Sequence, residues 1–530
     1  MIQNDLKKRL PALSLCNFIL IAAMVGTAMF NLTPAYADYK DDIEFTRLQE
    51  ELNQDIPDGS GIPVAQVEAG DAWMPDTSLG QFDGKVIMDR SGASGVSGHA
   101  TSVGSLFYGN TSSMTPGISL IDGFSALDWL TSGLLNTGNN TKQPDVTSAR
   151  LANHSWIGSF SENTHNSDAL RRLDWLVDRD EYIQVAALSN GSANQPFFSS
   201  AFNAVIAGRT DGGHGQDLPY IDDIYTENRV RPDIVAPQST TSSATPVVAS
   251  AAALLVHTGH KNPGLSTDPE FSFTLNRGGD TIYNAERSEV IKAALMAGAD
   301  RYTSNADGTN IRDYRSDTAN MSANGLDLRY GAGQVNIYQS YHIIATGEQN
   351  SYEDEPENGY IGRSGFDYDP CFGGIEGCND EASYYFSTDS EHIRLAVNLS
   401  WNLMIAGGET NSFDGTASLY NLDLILYDIT DSANPLIIIS AESLTDNSEN
   451  IWTLLGQNRD YLLQVVPGEG QGTFKWDYGL AWRMSGSLGG DFKADEDVDG
   501  IDLADYINSG GNITLKQFAS DFGKLSVPAQ

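Results

Sequence analysis

Positive charge and cysteine are what this chain has least of. Lys and Arg total 31 against 70 Asp and Glu, for a formal net charge of −39. A balance so acidic excludes nucleic acid and anionic membrane surfaces as electrostatic partners, and it suits export into salty or calcium-containing surroundings. Only 3 cysteines occur in 530 residues. Cys16 falls in the apolar N-terminal run, while Cys371 and Cys378 frame the Gly-rich loop Pro370-Cys-Phe-Gly-Gly-Ile-Glu-Gly-Cys378. A two-thiolate metal site there lacks nearby ligands of the right kind, so the pair reads as a disulfide. Beyond the N-terminus, long hydrophobic runs are also lacking, and no second stretch has the length of a membrane span.

What is present begins with that N-terminal run. Lys7-Lys8-Arg9 precedes a mostly apolar stretch from Leu13 to Phe30, and Pro34-Ala-Tyr-Ala37 ends in an A-x-A pattern before Asp38. This is the layout of a cleaved signal peptide over 1–37 and predicts a secreted, extracellular protein; the alternative is an uncleaved anchor helix. From about 60 to 345, short β-rich runs alternate with helical patterns, which predicts an α/β domain over 38–345 with a mainly parallel sheet flanked by helices. The candidate strands are Pro63–Val67, Ile183–Ala187 and Asn203–Ala207, and the candidate helices Asp168–Val177, Pro246–Thr258 and Ser288–Ala297. Residues 346–382 are acidic and rich in Gly, Asn and Ser, contain the cysteine pair, and read as a linker or a stapled loop. Alternating aromatic-rich runs then predict an all-β sandwich over 383–486.

Within the α/β region four stretches carry chemistry. An apolar strand ends in Glu68; His99 stands at the start of a helical pattern; Asn190 follows a strand; and Thr241-Ser242-Ser243-Ala-Thr-Pro246 enters a helix that is apolar nearly all round. Pro246 suits a first helical turn, which puts Ser242 at the helix entrance. A hydroxyl there lies near the positive end of the helix dipole, beside unpaired N–H groups, where a nucleophile and an oxyanion are both stabilised. Taken singly, each residue has a commoner structural explanation as a helix cap, a core histidine or a turn.

Their order is more informative than any one of them. Val64-Ala-Gln-Val-Glu-Ala-Gly70, His99-Ala-Thr-Ser-Val-Gly104, Ala186-Ala-Leu-Ser-Asn-Gly191 and Thr241-Ser-Ser-Ala-Thr-Pro246 resemble, in sequence order, the motifs of the subtilisin-like serine proteases. Asn153-His-Ser-Trp-Ile-Gly158, Phe202–Gly208, Arg229–Pro237 and Tyr330–Asn336 add to the resemblance, which covers roughly 55–345. It implies a Ser242 nucleophile, His99 as general base, Glu68 as the acid that orients it, and Asn190 with the Ser242 N–H as oxyanion donors. It also implies that Ser155–Gly158 line the substrate channel. The pattern departs from the family in four places: Glu68 replaces an aspartate, Ala100 a glycine, Ser102 a second histidine, and Thr240 the glycine before the Thr-Ser pair. Asp71 is a second candidate acid, and Ser239 and Ser243 are further hydroxyls. The thirty steps from Asp38 to Glu68 are too few for a folding propeptide of the usual kind.

Two smaller resemblances complete the chain. The sandwich is similar to the jelly-roll domains appended to secreted bacterial peptidases. The tail 487–530 resembles the calcium-loop-plus-helix repeat of dockerins, which implies Ca2+ held by Asp491, Asp495, Asp499 and Asp502 with an oxygen of Asp497, and a docking partner. Lys493 and Glu496 depart from that pattern. Two functional readings follow: a secreted serine endopeptidase acting on protein or peptide, or an inactive protease fold that serves in extracellular binding or assembly.

Overall fold

The computed structural model describes residues 39–523 apart from 93–94, 139–141, 192–196, 269–270, 302–310, 316, 357–358, 390–392, 487–489, 491–497, 499 and 510–513. The expected signal peptide lies outside the described residues.

Seven strands form the first sheet: β1 Val64–Glu68, β2 Val86–Asp89, β3 Leu120–Ser125, β4 Leu151–His154, β5 Ile183–Ala187, β6 Val205–Arg209 and β7 Ile234–Ala236. They lie in the order β2-β3-β1-β4-β5-β6-β7, and every neighbouring pair is parallel. The longer helices beside them include α1 Gly98–Tyr108, α2 Asn163–Asp180, α3 Thr241–Lys261, α4 Ser288–Gly298 and α5 Ile337–Thr346. The central strands are buried at nearly every position because both faces are covered. Val64, Leu151, Val185 and Val205 join the core around α3. Their chain neighbours Ala65, Ala152, Ala186 and Ile206 join the core around α2 on the opposite face, as the period of two requires. The order reverses at β1, which has β3 on one side and β4 on the other. Such a switch point opens a crevice beyond the carboxyl ends of its strands.

Helix α3 starts earlier than Pro246 implies. Thr240 is its cap, in an ordinary extended conformation (φ −139°), and accepts a bond from the Ser243 N–H with its side chain. Pro246 is therefore inside the helix. Having no N–H, it leaves the carbonyl four residues back, that of Ser242, without its helical donor. The Ser155 hydroxyl supplies one at 3.0 Å.

Antiparallel strands follow: a hairpin of β8 Phe273–Leu275 and β9 Thr281–Tyr283, then β10 Ser364–Phe372, β11 Ala382–Ser387, β12 Ile393–Ser400, β13 Met404–Ile405, β14 Ala417–Ser418, β15 Leu422–Asp428, β16 Leu436–Ala441, β17 Ser448–Leu455, β18 Asp460–Pro467 and β19 Trp476–Gly486. Two four-stranded sheets, β10-β19-β12-β17 and β11-β18-β15-β16, enclose an apolar core that includes Tyr384, Leu395, Leu424, Leu463 and Trp482. The layout is thus an α/β sheet followed by a β-sandwich.

The linker expected over 346–382 is corrected: it contains β10, whose Phe366 and Tyr368 belong to the same core as α4 and α5. Its acids do not mark solvent. Asp367 accepts from the Tyr384 hydroxyl at 2.6 Å and Asp369 from the Cys371 N–H at 2.8 Å, and each is 1% exposed. The sandwich is seated on the α/β layer through α4, which is buried at every position. Cys371 and Cys378 form a disulfide. In the tail, α6 Gly500–Ser509 and α7 Leu515–Asp521 meet through the stacked rings of Tyr506 and Phe518. Among the described residues no helix is long and apolar enough to cross a membrane.

Candidate active site

The switch point brings the four chemical stretches to one cleft of about 330 Å³, lined by Glu68, His99, Ser155, Asn190, Thr241 and Ser242, with Trp156 and Ile157 among its apolar walls. Glu68 is the last residue of β1 and is 1% exposed. His99 is the second residue of α1, whose Ser97 cap accepts from the Ala100 N–H at 3.2 Å. The Glu68 Oε2 lies 2.6 Å from His99 Nδ1, and 48% of the histidine side chain remains exposed. With Glu68 ionised, Nδ1 carries the proton and donates it. That hydrogen bond is the main cause of a His99 pKa above the ordinary histidine value; burial works against it and the Glu68 charge with it.

The second oxygen of Glu68 is held as well. Gln66, two residues earlier and so on the same face of β1, donates from Nε2 to Glu68 Oε1 at 2.8 Å and to the Ala100 carbonyl at 2.8 Å. Its Oε1 accepts from the Tyr108 hydroxyl. Gln66 lies within the strand motif, but the resemblance gives it no role. The signal that could have marked it is its spacing from Glu68: an amide on the same strand face as a buried acid.

At the head of α3 the N–H groups are unequally satisfied. Thr241 N–H donates to Asn190 Oδ1 at 2.9 Å, and Ser243 N–H to the Thr240 carbonyl at 3.1 Å and hydroxyl at 3.2 Å. The Ser242 N–H has no acceptor among the described residues. It lies at the positive end of a 21-residue helix, in the position of an anion donor. Because a backbone N–H can only donate, its bond to Asn190 identifies the oxygen end of that amide and leaves Nδ2 as a donor at the cleft. Asn190 follows β5, and the next residue, Gly191, turns the chain with φ +78°, which glycine adopts without strain.

Of the three candidate serines, Ser242 lines the cleft. Ser239 is exposed, and Ser243 Oγ is 3.0 Å from Thr240 Oγ1, which donates to it. Asp71 is exposed past the Gly70 turn and is not among the lining residues. Ser155 follows β4 and accepts from Asn153 Nδ2 at 2.9 Å while bracing the Ser242 carbonyl. His154 is a structural ring: it is buried, bonded to Gln184 at 2.8 Å, and desolvation pushes its pKa down to about 4. No hydrogen bond joins the Ser242 hydroxyl to His99 among the described residues.

Two other places could hold a cation. Asp178 of α2, Glu289 of α4 and Asp477 of β19 place ligand oxygens within 4.8 Å of one another where the α/β layer meets the sandwich. This is a hard oxygen set of the kind calcium takes. In the tail, Asp491, Asp495, Asp497 and Asp499 lie outside the described residues. Asp502 is fully buried in the first turn of α6.

No family model matches the chain. No curated protein matches it either. Among solved structures it is similar to the periplasmic lysozyme inhibitor PliG of Salmonella Typhimurium, with 13% identity over 24% of this chain and 95% of that one, at a TM-score of 0.14. It is similar also to PliG of Aeromonas hydrophila, with 12% identity, 24% and 93% coverage and a TM-score of 0.15. A third is the Yersinia pseudotuberculosis-derived mitogen, at 11% identity, 20% and 85% coverage and a TM-score of 0.11. At such scores neither a fold nor a function carries across, and the chemistry of the site is left to speak for itself.

Proposed function

We propose that this chain is a secreted serine endopeptidase of the subtilisin-like kind, with Ser242, His99 and Glu68 as its triad. The observation that carries this reading is the convergence, in one cleft, of the Glu68–His99 bond at 2.6 Å with the half-buried Ser242 and its unpaired N–H. His99 takes the Ser242 proton as the hydroxyl attacks a peptide carbonyl, then passes it to the leaving amine. Glu68 stays ionised, keeps the Nδ1 tautomer and stabilises the imidazolium. The Ser242 N–H and Asn190 Nδ2 receive the negative oxygen of the tetrahedral intermediate. Free enzymes often hold serine and histidine beyond hydrogen-bond reach until substrate binds.

Thr240, where the family has glycine, is compatible with this chemistry. Its φ of −139° is one that any residue adopts, and its hydroxyl caps the helix. The tail would add a calcium-dependent docking module through Asp491, Asp495, Asp497, Asp499 and Asp502. Calcium there supplies folding energy, not catalysis.

The second reading, an inactive protease fold that binds or assembles, is favoured by the missing Ser242–His99 hydrogen bond. Hydrolysis of an unstructured protein substrate separates the two. Cleavage that disappears in Ser242→Ala supports the peptidase; absence of cleavage by folded wild type supports the binding protein.

A further inference from the structure

We propose that Gln66 and Tyr108 are positioning residues: together they fit a glutamate to the role that the subtilisin-like proteases give to an aspartate. This rests on the peptidase reading above and deepens it. A glutamate carboxylate sits one methylene further from its backbone than an aspartate carboxylate and has an additional side-chain torsion. A lone bond from His99 would leave that carboxylate free to swing.

The geometry removes that freedom from both ends. Oε2 receives His99 Nδ1 at 2.6 Å and Oε1 receives Gln66 Nε2 at 2.8 Å. The same Gln66 nitrogen donates its other hydrogen to the carbonyl of Ala100, the neighbour of His99 in α1, at 2.8 Å. One amide therefore ties the strand that carries the acid to the helix that carries the base. Its orientation is fixed by chemistry: an ionised carboxylate and a carbonyl can only accept, so the NH2 group faces them and Oε1 faces Tyr108, which must donate. Gln66 is 1% exposed and Tyr108 fully buried, so water does not compete.

Gly104 supports the same arrangement. A Cβ on it would lie 2.6 Å from the Tyr108 hydroxyl oxygen and 3.0 Å from Gln66 Oε1. A glycine inside a helix costs about 0.5–1 kcal/mol relative to alanine. Here it leaves room for the Tyr108–Gln66 bond. The sequence motif His99-Ala-Thr-Ser-Val-Gly104 thus contains the base at one end and the space for its support at the other.

The test follows the His99 Nδ1 proton and the His99 titration by NMR in the full chain, alongside peptide-hydrolysis kinetics. Wild type should show a downfield Nδ1 proton and a midpoint above that of an ordinary histidine. Gln66→Leu and Tyr108→Phe should lose the downfield signal and move the midpoint down toward the ordinary value. In both, kcat should fall with KM unchanged, by about 10²-fold for Gln66→Leu and by less for Tyr108→Phe. A folded variant that keeps the wild-type proton signal and midpoint, or whose midpoint rises, overturns the proposal. Should Gln66→Leu fail to fold, Tyr108→Phe, which removes one oxygen atom, decides alone. The spectroscopic arm does not depend on turnover. Signals that respond as expected in a protein that hydrolyses nothing overturn the peptidase reading and leave the clamp standing.

Discussion

The buried Glu68 and a trio of buried and partly buried acids sit in this molecule under different conditions. In the cleft, Glu68 meets only donors, one on each oxygen. At the seam between the layers, Glu289 also has a donor on each oxygen, Asn402 Nδ2 and the Ser288 hydroxyl, and Asp477 accepts from the Tyr368 hydroxyl, but Asp178, Glu289 and Asp477 bring their carboxylates together. Burial penalises all of them; what differs is the company each one keeps. In the cleft the partners of Glu68 are His99 and Gln66, which fix its carboxylate in place. At the seam, desolvation and then the neighbouring acids hold the carboxyls of Asp178 and Glu289 well above the ordinary range, so they favour the protonated form or a cation. A buried acid can therefore be read only from its partners.

The largest effect expected from breaking this contrast is on the cleft side. Glu68→Gln removes the charge but keeps the shape. Turnover should fall by about 10⁴-fold, the loss seen when the aspartate of a serine-protease triad becomes asparagine and the histidine takes the wrong tautomer. Steady-state kinetics at neutral pH check it. Glu68→Asp keeps the charge but shortens the reach, so the carboxylate cannot keep both the His99 and the Gln66 bond. Its kcat should drop by about 10–10²-fold, with the protein still folded by circular dichroism.

The pH profile sharpens the same side. In the proposed mechanism the base form of His99 is the working one, and its pKa is raised by the Glu68 bond. The acid limb of kcat/KM should therefore have its midpoint above about 6.5, and a midpoint below it would mean that Glu68 is not paired with the working histidine. The linked stability has the same sign. A histidine raised by folding stabilises the protein fully below its unfolded pKa, and that contribution is lost as pH rises through the folded value.

The seam should behave differently. Glu289 is 2% exposed and its pKa is raised by desolvation first and then by Glu181 and Asp477. Its contribution to stability is present in full below the unfolded carboxyl pKa and is lost as pH rises through the raised one. Glu289→Gln should thus flatten the pH dependence of unfolding and raise stability at pH 8 relative to pH 5, measured by denaturant melts at the two pH values without divalent ions. The smallest effect concerns the helix cap. Thr240→Gly should cost only a few tenths of a kcal/mol in the same melts, with turnover little changed.

Much of this was legible in the chain, and for physical reasons. Strands buried on both faces read as apolar runs, so β5 occupies Ile183–Ala187 as expected, and α4 runs Ser288–Gly298 against an expected Ser288–Ala297. Glu68, His99, Asn190 and Ser242 stand at strand ends or helix starts, where a sequence pattern breaks and is easily seen. What was hidden depended on contacts distant in sequence. Asp367 and Asp369 looked like a solvated linker because composition does not reveal the Tyr384 hydroxyl that satisfies one of them. Pro246 pointed to a helix start because its missing N–H is most often harmless there, and only Ser155, 87 residues from Ser242, makes it harmless further in. Gln66 could be placed on the Glu68 face, but not tied to Tyr108, 42 residues on.

The most direct test of the Ser242–His99–Glu68 triad is covalent labelling with a fluorophosphonate serine probe, read by mass spectrometry on the intact chain and its peptides. One adduct is expected, on Ser242, absent in Ser242→Ala and strongly slowed in Glu68→Gln. A folded wild-type protein that takes no label, or an adduct that persists in Ser242→Ala, would contradict the triad.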